Sequence, residues 1–259
     1  SLCKSERTAN HRSTDTINMN QPRTAQFKQV ITFLSAKGGT GQTLISSNLA
    51  CIAAQRHPTL FIQLTKYPDA HTFFDVSTEK NFAHVIDFLE HKEDLFQTFQ
   101  TLAYRKNNMA ILLSPMDPEQ TASITETHLS LLINAALQLF TTIVIDLGKE
   151  FQEYRAVVKQ SDKVVPVSNL DPQSIVRTNQ LSEMLEKEFP QIGRHVVINQ
   201  RPPSIGKKEA QAYFSAPLIH MLSYDNESAW DAIAFATPYA LTKSKLAKET
   251  GELLDQLLA

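Results

Sequence analysis

The sequence is poor in cysteine, has no excess of one charge and contains no long apolar run. Its 259 residues include only two cysteines, Cys3 and Cys51, too few and too far apart for a disulfide framework or a zinc site. The formal net charge is -2, so the basic excess typical of a DNA-binding domain is absent. The apolar runs are strand-sized, far short of a membrane span, and no secretory signal is visible. We therefore expect a cytoplasmic protein without a nucleic-acid partner and without direct membrane insertion.

The composition that is present describes one large globular domain. Hydrophobic residues make up 42% of the chain and charged residues 20%. Residues 1–26 are polar and rich in Ser, Thr, Asn and Arg, which predicts a flexible tail or an interdomain linker. The first residue is Ser rather than Met, and the sequence leaves open whether an upstream part exists. Residues 27–259 are predicted to form a single domain.

Short apolar runs alternate with segments of helical periodicity throughout this domain. Several runs are nearly continuous, as expected of strands that are covered on both faces. The predicted strands contain Val30–Leu34, Leu60–Ile62, Ala110–Leu113, Ile143–Ile145, Val164–Val167, Val196–Ile198 and Leu218–Ile219. The predicted helices are Leu44–Arg56, Ala83–Leu89, Thr121–Phe140, Ser174–Phe189 and Lys243–Leu258. This alternation predicts an α/β fold with a doubly wound, mostly parallel sheet flanked by helices.

A glycine-rich loop lies between the first predicted strand and the first predicted helix. It reads Ser35-Ala36-Lys37-Gly38-Gly39-Thr40-Gly41-Gln42-Thr43. A loop in this position directs backbone N–H groups and a helix N-terminus at an anion, and its glycines let the backbone approach phosphate closely. The hydroxyl of Thr43 is placed to bind Mg²⁺. The alternative is a glycine-rich turn without a ligand.

The loop resembles the deviant Walker A motif of the MinD/ParA family, Lys-Gly-Gly-X-Gly-Lys-[Thr/Ser], which implies that residues 27–259 are a P-loop ATPase-like domain. Lys37 matches the signature lysine, which in this family reaches across a dimer to the partner's phosphates. Gln42 replaces the second lysine, and its amide donates hydrogen bonds but carries no charge. A charge-assisted hydrogen bond contributes about 1.5–3 kcal/mol. We therefore expect roughly ten- to a hundred-and-fifty-fold weaker nucleotide binding, unless Lys37 compensates.

The acidic residues of the family are only partly retained. The resemblance implies an Asp-X-Asp after the second strand, but Gln63 and Thr65 occupy the two acidic positions, and neither is a general base near neutral pH. Asp69 is a candidate substitute, or simply a turn residue after Pro68. Asp146 ends the strand Ile143–Ile145 and is predicted to hold Mg²⁺ through water, with a plain strand terminator as the alternative.

Asn199 ends another predicted strand, where the family places an asparagine near the adenine. An Asx turn before Pro202 is the alternative reading. The predicted nucleotide-binding residues are therefore Lys37, Gly38, Gly39, Thr40, Gly41, Gln42, Thr43 and Asn199, and the predicted metal-binding residues are Thr43 and Asp146.

The C-terminal helix carries five leucines, but its lysines are offset by acidic residues. We expect this helix to pack on the sheet or on a dimer partner rather than on a membrane.

Three further segments resemble the CpaE/TadZ branch of the family, whose members localise type IVb (Flp/Tad) pilus machinery at a cell pole. They are Asp117-Pro118-Glu119, the stretch Asn169–Arg177 and Met221–Asp225. The resemblance implies a catalytically degenerate homodimeric scaffold at the inner face of the pole. Such a scaffold would bind ATP with Mg²⁺ weakly or not at all and would recruit proteins of the pilus secretion machinery.

Two other functions remain open from the sequence. The first is an active ParA/MinD-like ATPase that positions DNA, flagella or the division site, which rests on Lys37, Thr43 and Asp146. The second is a metabolic ligase or reductase-activating relative of the same fold. That function needs a second-substrate site, for which the sequence shows no constellation.

Overall fold

The computed structural model describes residues 28–91, 94–106, 108–149 and 155–259. The predicted tail or linker, residues 1–26, lies outside these residues. The described strands are β1 (Gln29–Leu34), β2 (Thr59–Gln63), β3 (Tyr104–Lys106), β4 (Met109–Leu112), β5 (Thr142–Asp146), β6 (Lys163–Ser168), β7 (Gly193–Arg194), β8 (Val196–Arg201) and β9 (Leu218–Ser223). The described helices are α1 (Gln42–Ala54), α2 (Ala70–Phe74), α3 (Phe82–Glu90), α4 (Leu95–Leu102), α5 (Pro118–Ala122), α6 (Glu126–Leu139), α7 (Arg155–Lys159), α8 (Pro172–Glu188), α9 (Lys207–Gln211), α10 (Asn226–Ala234) and α11 (Lys245–Leu258).

The strands form one mixed and mostly parallel sheet. Its order is β3-β4-β2-β5-β1-β6-β8-β9, and the short β7 pairs with β6 beside this path. Every pair is parallel except β3 with β4 at one edge. The predicted doubly wound, mostly parallel fold is confirmed, and each of the seven predicted strand runs overlaps an observed strand.

Both faces of the sheet are covered, which explains the continuous apolar runs. Val30 and Leu34 of β1 belong to the core under α3, α6 and α8, whereas Ile31 and Phe33 belong to the core under α1 and α11. Neighbouring strands alternate in the same way, because successive side chains point to opposite faces of a sheet. Each central strand therefore has apolar residues on both of its faces.

One predicted helix is wrong in its extent. The segment Thr121–Phe140 was expected to be one helix, but it divides into α5 and α6. The side chain of Thr125 accepts a hydrogen bond from the backbone N–H of His128, and the His128 ring in turn accepts one from the Thr125 N–H. This reciprocal capping box begins a new helix at Glu126. The helical periodicity of the sequence therefore continues across the boundary between two helices.

The C-terminal helix α11 packs on the sheet, as predicted. Leu246, Leu253, Leu254 and Leu257 are buried against α1 and the neighbouring strands. In the described part of the chain, no helix is long and apolar enough to cross a membrane.

Candidate phosphate-binding site

The glycine-rich loop forms the floor of a cleft at the carboxyl end of the sheet. Gly39 and Gly41 have positive φ angles of 78° and 81°, which favour glycine. No side-chain hydrogen bond caps the N-terminus of α1, where backbone N–H groups and the helix dipole favour an anion. The cleft has a volume of about 450 Å³, within the range of small-molecule sites. Of the predicted nucleotide-binding residues, all except Lys37 line it.

Gln42 points away from the cleft and into the protein. Its side-chain amide nitrogen donates to the carbonyl of Phe33 at 3.1 Å and to Oδ1 of Asp146 at 2.5 Å. Phe33 and Asp146 are direct neighbours in the register of β1 and β5, so one amide at the start of α1 reaches both. The residue is 5% exposed. The side chain at the position of the family's P-loop lysine is thus hydrogen-bonded within the core of the protein.

Gln63 holds the other oxygen of the same carboxylate. It pairs with Asp146 in the register of β2 and β5, and its amide nitrogen donates to Oδ2 of Asp146 at 2.9 Å and to Oδ1 of Asp69 at 2.8 Å. Its amide oxygen accepts from the backbone N–H groups of Asp69 and Ala70. Asp69 itself is exposed and lines the cleft. The loop therefore folds inward, as the interpretation of Asp69 as a substitute carboxylate requires.

Asp146 has a strongly perturbed carboxyl group. It is 0% exposed, and burial raises the pKa of its carboxyl group to about 6. Hydrogen bonds from Thr43, Gln63 and Gln42 lower this pKa but only partly offset the burial, and the nearby Asp69 carboxylate raises it further. The ionised carboxylate is thus surrounded by neutral donors rather than by a cation.

Lys37 lies outside the cleft and is paired within its own chain. Its Nζ is 3.0 Å from Oδ1 of Asp171, the residue that caps the N-terminus of α8. Asp171 also accepts hydrogen bonds from the backbone N–H and the hydroxyl of Ser174. The bonds from Ser174 and then from Lys37 hold the pKa of Asp171 well below its usual range. In this conformation Lys37 is tethered to α8.

Asn199 was predicted to end its strand, but β8 continues to Arg201, and the Asn199 amide contacts the loop backbone. Nδ2 donates to the carbonyl of Thr40 at 2.8 Å. The contact is tight, because a Cβ atom placed on Gly41 would lie 2.2 Å from this nitrogen. Asn199 therefore fixes the loop directly, and its contact with an adenine stays a prediction.

A nucleotide phosphate fits this loop, because the glycines leave the loop backbone accessible. Thr43, the candidate magnesium ligand, lines the cleft. The two oxygens of Asp146 accept hydrogen bonds from Gln42, Gln63 and Thr43, and an ionised carboxylate offers about four acceptor sites. These bonds therefore do not block a contact with a magnesium-bound water. Among the described residues, no cluster of three or more His, Cys, Asp and Glu side chains could hold a metal ion. The magnesium roles of Thr43 and Asp146 stay predictions.

Lys149, Tyr224 and Trp230 also line the cleft, and the sequence analysis assigned none of them to the nucleotide site. Lys149 follows β5, and a Cβ atom placed on Gly38 would lie 2.7 Å from its Nζ. Tyr224 and Trp230 are 61% and 62% exposed. Tyr224 belongs to the segment Met221–Asp225, which was noted only for its resemblance to one branch of the family, and no motif marks Lys149 or Trp230.

Comparisons with known proteins agree with this geometry at the level of the fold. No protein-family model matches the chain, and no curated protein sequence matches it either. The structure is similar to that of a ParA family ATPase from Chlorobium tepidum TLS, with a TM-score of 0.81, 20% identity, and coverage of 90% of this chain and 100% of that one. It is also similar to the septum site-determining protein MinD of Pyrococcus horikoshii OT3 complexed with Mg-ADP, with a TM-score of 0.73, 19% identity, and coverage of 89% and 96%.

A third similar structure is that of a plasmid partition protein from Borrelia burgdorferi B31 bound to AMPPNP, with a TM-score of 0.68, 15% identity, and coverage of 90% and 98%. The chain therefore has the fold of the MinD/ParA-type P-loop ATPases.

Proposed function

We propose that this chain is a catalytically degenerate MinD/ParA-type domain that binds an adenine nucleotide on residues 35–43 without turning it over efficiently. The observation that carries the proposal is the pair of glutamine amides on Asp146 beneath an intact phosphate loop. Two structures of the same fold, the Pyrococcus horikoshii MinD and the Borrelia burgdorferi protein, contain Mg-ADP and AMPPNP. These ligands support an adenine nucleotide as the occupant of the cleft.

The proposed loss of turnover has two physical causes. Phosphoryl transfer depends on positioning and on stabilising the charge of the transition state, and Gln42 supplies neither from its buried position. Orienting the attacking water requires a carboxylate or an equivalent acceptor, and Thr65 at the family's second acidic position is not a base near neutral pH. The backbone N–H of Thr65 donates to the hydroxyl of Ser114, which fixes this segment to the end of β4.

Active hydrolysis is the second candidate function, and the position of Asp69 favours it. This carboxylate lines the cleft and accepts a hydrogen bond from the side-chain amide of Gln63. A water molecule oriented by Asp69 would restore the role that the family assigns to the missing acidic residue. The ATPase would then serve positioning of DNA, flagella or the division site.

Phosphate release from Mg-ATP separates the two candidates. The wild type is compared with Thr43→Ala, which removes the loop hydroxyl, and with Asp69→Asn, which removes the candidate carboxylate at constant size. The degenerate domain predicts that all three release phosphate at the same background rate. Turnover by the wild type that both substitutions abolish would favour the active ATPase.

The cellular role that we propose is a homodimeric scaffold that recruits pilus secretion machinery at the inner face of a cell pole. The resemblance of the segments at residues 117–119, 169–177 and 221–225 to the CpaE/TadZ branch supports this role. Tyr224, Trp230 and Phe235 are 61–70% exposed near the cleft, and exposed aromatic side chains are common anchors of protein interfaces.

A fluorescent fusion in a piliated host tests this role. We expect polar foci in the wild type and diffuse fluorescence in a Trp230→Ala, Phe235→Ala double variant of unchanged stability. Diffuse fluorescence of the wild type in cells that assemble pili would contradict the localising role.

A further inference from the structure

Neither lysine position of the family's loop motif supplies a cation to the cleft. Gln42 is neutral and turned into the core, and Lys37 is held 3.0 Å from Asp171 outside the cleft. Two carboxylates, Asp69 and Asp225, line the walls. A polyphosphate bound here requires a positively charged donor, because charge-assisted hydrogen bonds are about twice as strong as neutral ones.

Lys149 brings a positive charge to the floor of this cleft. Among the described residues that line the cleft, it is the one lysine or arginine. The turn that carries it is fixed to the loop, since the N–H of Leu147 donates to the carbonyl of Phe33 at 2.9 Å and the carbonyl of Gly148 accepts from the N–H of Ser35. The Lys149 Nζ would lie 2.7 Å from a Cβ atom on Gly38. The ammonium group therefore lies close to Gly38 of the glycine-rich loop, within the same cleft.

We propose that Lys149 is the phosphate-binding lysine of this chain, in place of the lysine that Gln42 has replaced. The inference rests on the proposed nucleotide binding and adds the residue that supplies the charge. The lysine comes from the loop after β5 rather than from the start of α1, and it approaches Gly38 of the glycine-rich loop. This position also leaves the Gln42–Asp146 contact intact, so phosphate binding and the buried amide network coexist.

The geometry predicts which part of a nucleotide Lys149 recognises. Its ammonium group lies close to Gly38, on the glycine-rich loop that is proposed to bind the phosphates. Removing the Lys149 charge therefore weakens binding of ADP, which carries phosphates, and leaves binding of adenosine unchanged. Loss of one charge-assisted hydrogen bond corresponds to roughly a tenfold to hundredfold weaker ADP affinity.

Calorimetric titration with ADP and with adenosine tests the proposal on the whole chain. The variants are Lys149→Gln, Lys149→Arg and the control Lys248→Gln, whose lysine is 80% exposed on α11 and does not line the cleft. We expect Lys149→Gln to lose roughly tenfold to a hundredfold in ADP affinity and none in adenosine affinity. Lys149→Arg keeps most of the ADP affinity, and Lys248→Gln matches the wild type. Equal urea midpoints establish that the variants are folded.

Amine acetylation gives a second readout that is independent of affinity. Bound ADP is expected to slow acetylation of Lys149 in the wild type and to leave Lys248 unchanged. If the wild type binds ADP but Lys149→Gln binds it equally well and Lys149 is not protected, the inference is wrong while the proposed function stands. If the wild type binds no ADP at millimolar concentration, both fail.

Discussion

Replacing Asp146 by asparagine should make the folding stability of the chain less dependent on pH. Asp146 is completely buried, and its pKa rises from an ordinary 3.8 to about 6 in the folded protein. Between these two values the native state keeps a proton that the unfolded chain has released. The free energy of unfolding therefore falls as the pH rises through this window, and the loss is complete above the folded pKa.

The shift of about two pKa units corresponds to a loss of about 3 kcal/mol between pH 4 and pH 7. The Asp146→Asn protein lacks this titration, because its amide is neutral throughout. Two donor amides face position 146, so the new amide needs one acceptor. Gln42 can provide it by rotating, since its Oε1 has no hydrogen-bond partner among the described residues, whereas Gln63 is fixed by Asp69 and Ala70.

Urea unfolding of both proteins at several pH values from 4 to 8 measures this difference. Other carboxyl groups titrate in both proteins and cancel in the comparison. The variant is expected to gain about 3 kcal/mol on the wild type between pH 4 and pH 7. Gly206→Ala, which changes no titratable group, provides the control: its pH slope should be parallel to that of the wild type. If the Asp146→Asn and wild-type curves are also parallel, Asp146 titrates normally and the buried network is misdescribed.

Three further substitutions test other parts of the structure. Gly41→Ala places a Cβ 2.2 Å from Asn199 Nδ2 at a φ of +81°, so it should destabilise the fold by more than about 1 kcal/mol and abolish ADP binding in a titration. Gly206→Ala, whose Cβ would meet no described atom within 4 Å, should have neither effect. Asp171→Ala should cost about 1 kcal/mol in urea unfolding through the lost cap of α8, and Asp171→Asn, which retains a capping oxygen, should cost less. Tyr239→Phe removes a buried hydroxyl hydrogen bond of 3.1 Å and should lower the unfolding free energy by about 1 kcal/mol, and an unchanged value would contradict that bond.

The fold was predictable because its central strands are covered on both faces. In an α/β chain, continuous apolar runs such as Val30–Leu34 and Ile143–Ile145 are typical of parallel strands whose two faces are both covered by helices. The edge strand β3 escaped prediction, because Tyr-Arg-Lys is polar and pairs antiparallel with β4 at the margin of the sheet. The break before α6 escaped because the helical periodicity continues across Thr125.

The position of the glycine-rich loop was predictable from the sequence, but the contacts of the side chains around it were not. The sequence revealed that Gln42 and Gln63 carry no charge, and it could not show that both amides bind Asp146. That contact depends on the register of β5 between β1 and β2, which is set by tertiary structure. Lys149 was missed for the same reason. It belongs to no motif, and its approach to Gly38 exists only after the sheet is assembled.

Calorimetric titration of the chain with Mg-ATP, followed by analysis of the nucleotide recovered from the calorimeter cell, tests whether the domain binds ATP without hydrolysing it. We expect saturable heat at micromolar to sub-millimolar ATP, with the nucleotide recovered as ATP. Recovery as ADP at a rate above that of the Thr43→Ala protein would contradict the catalytic degeneracy. Absence of heat at millimolar ATP would contradict nucleotide binding itself.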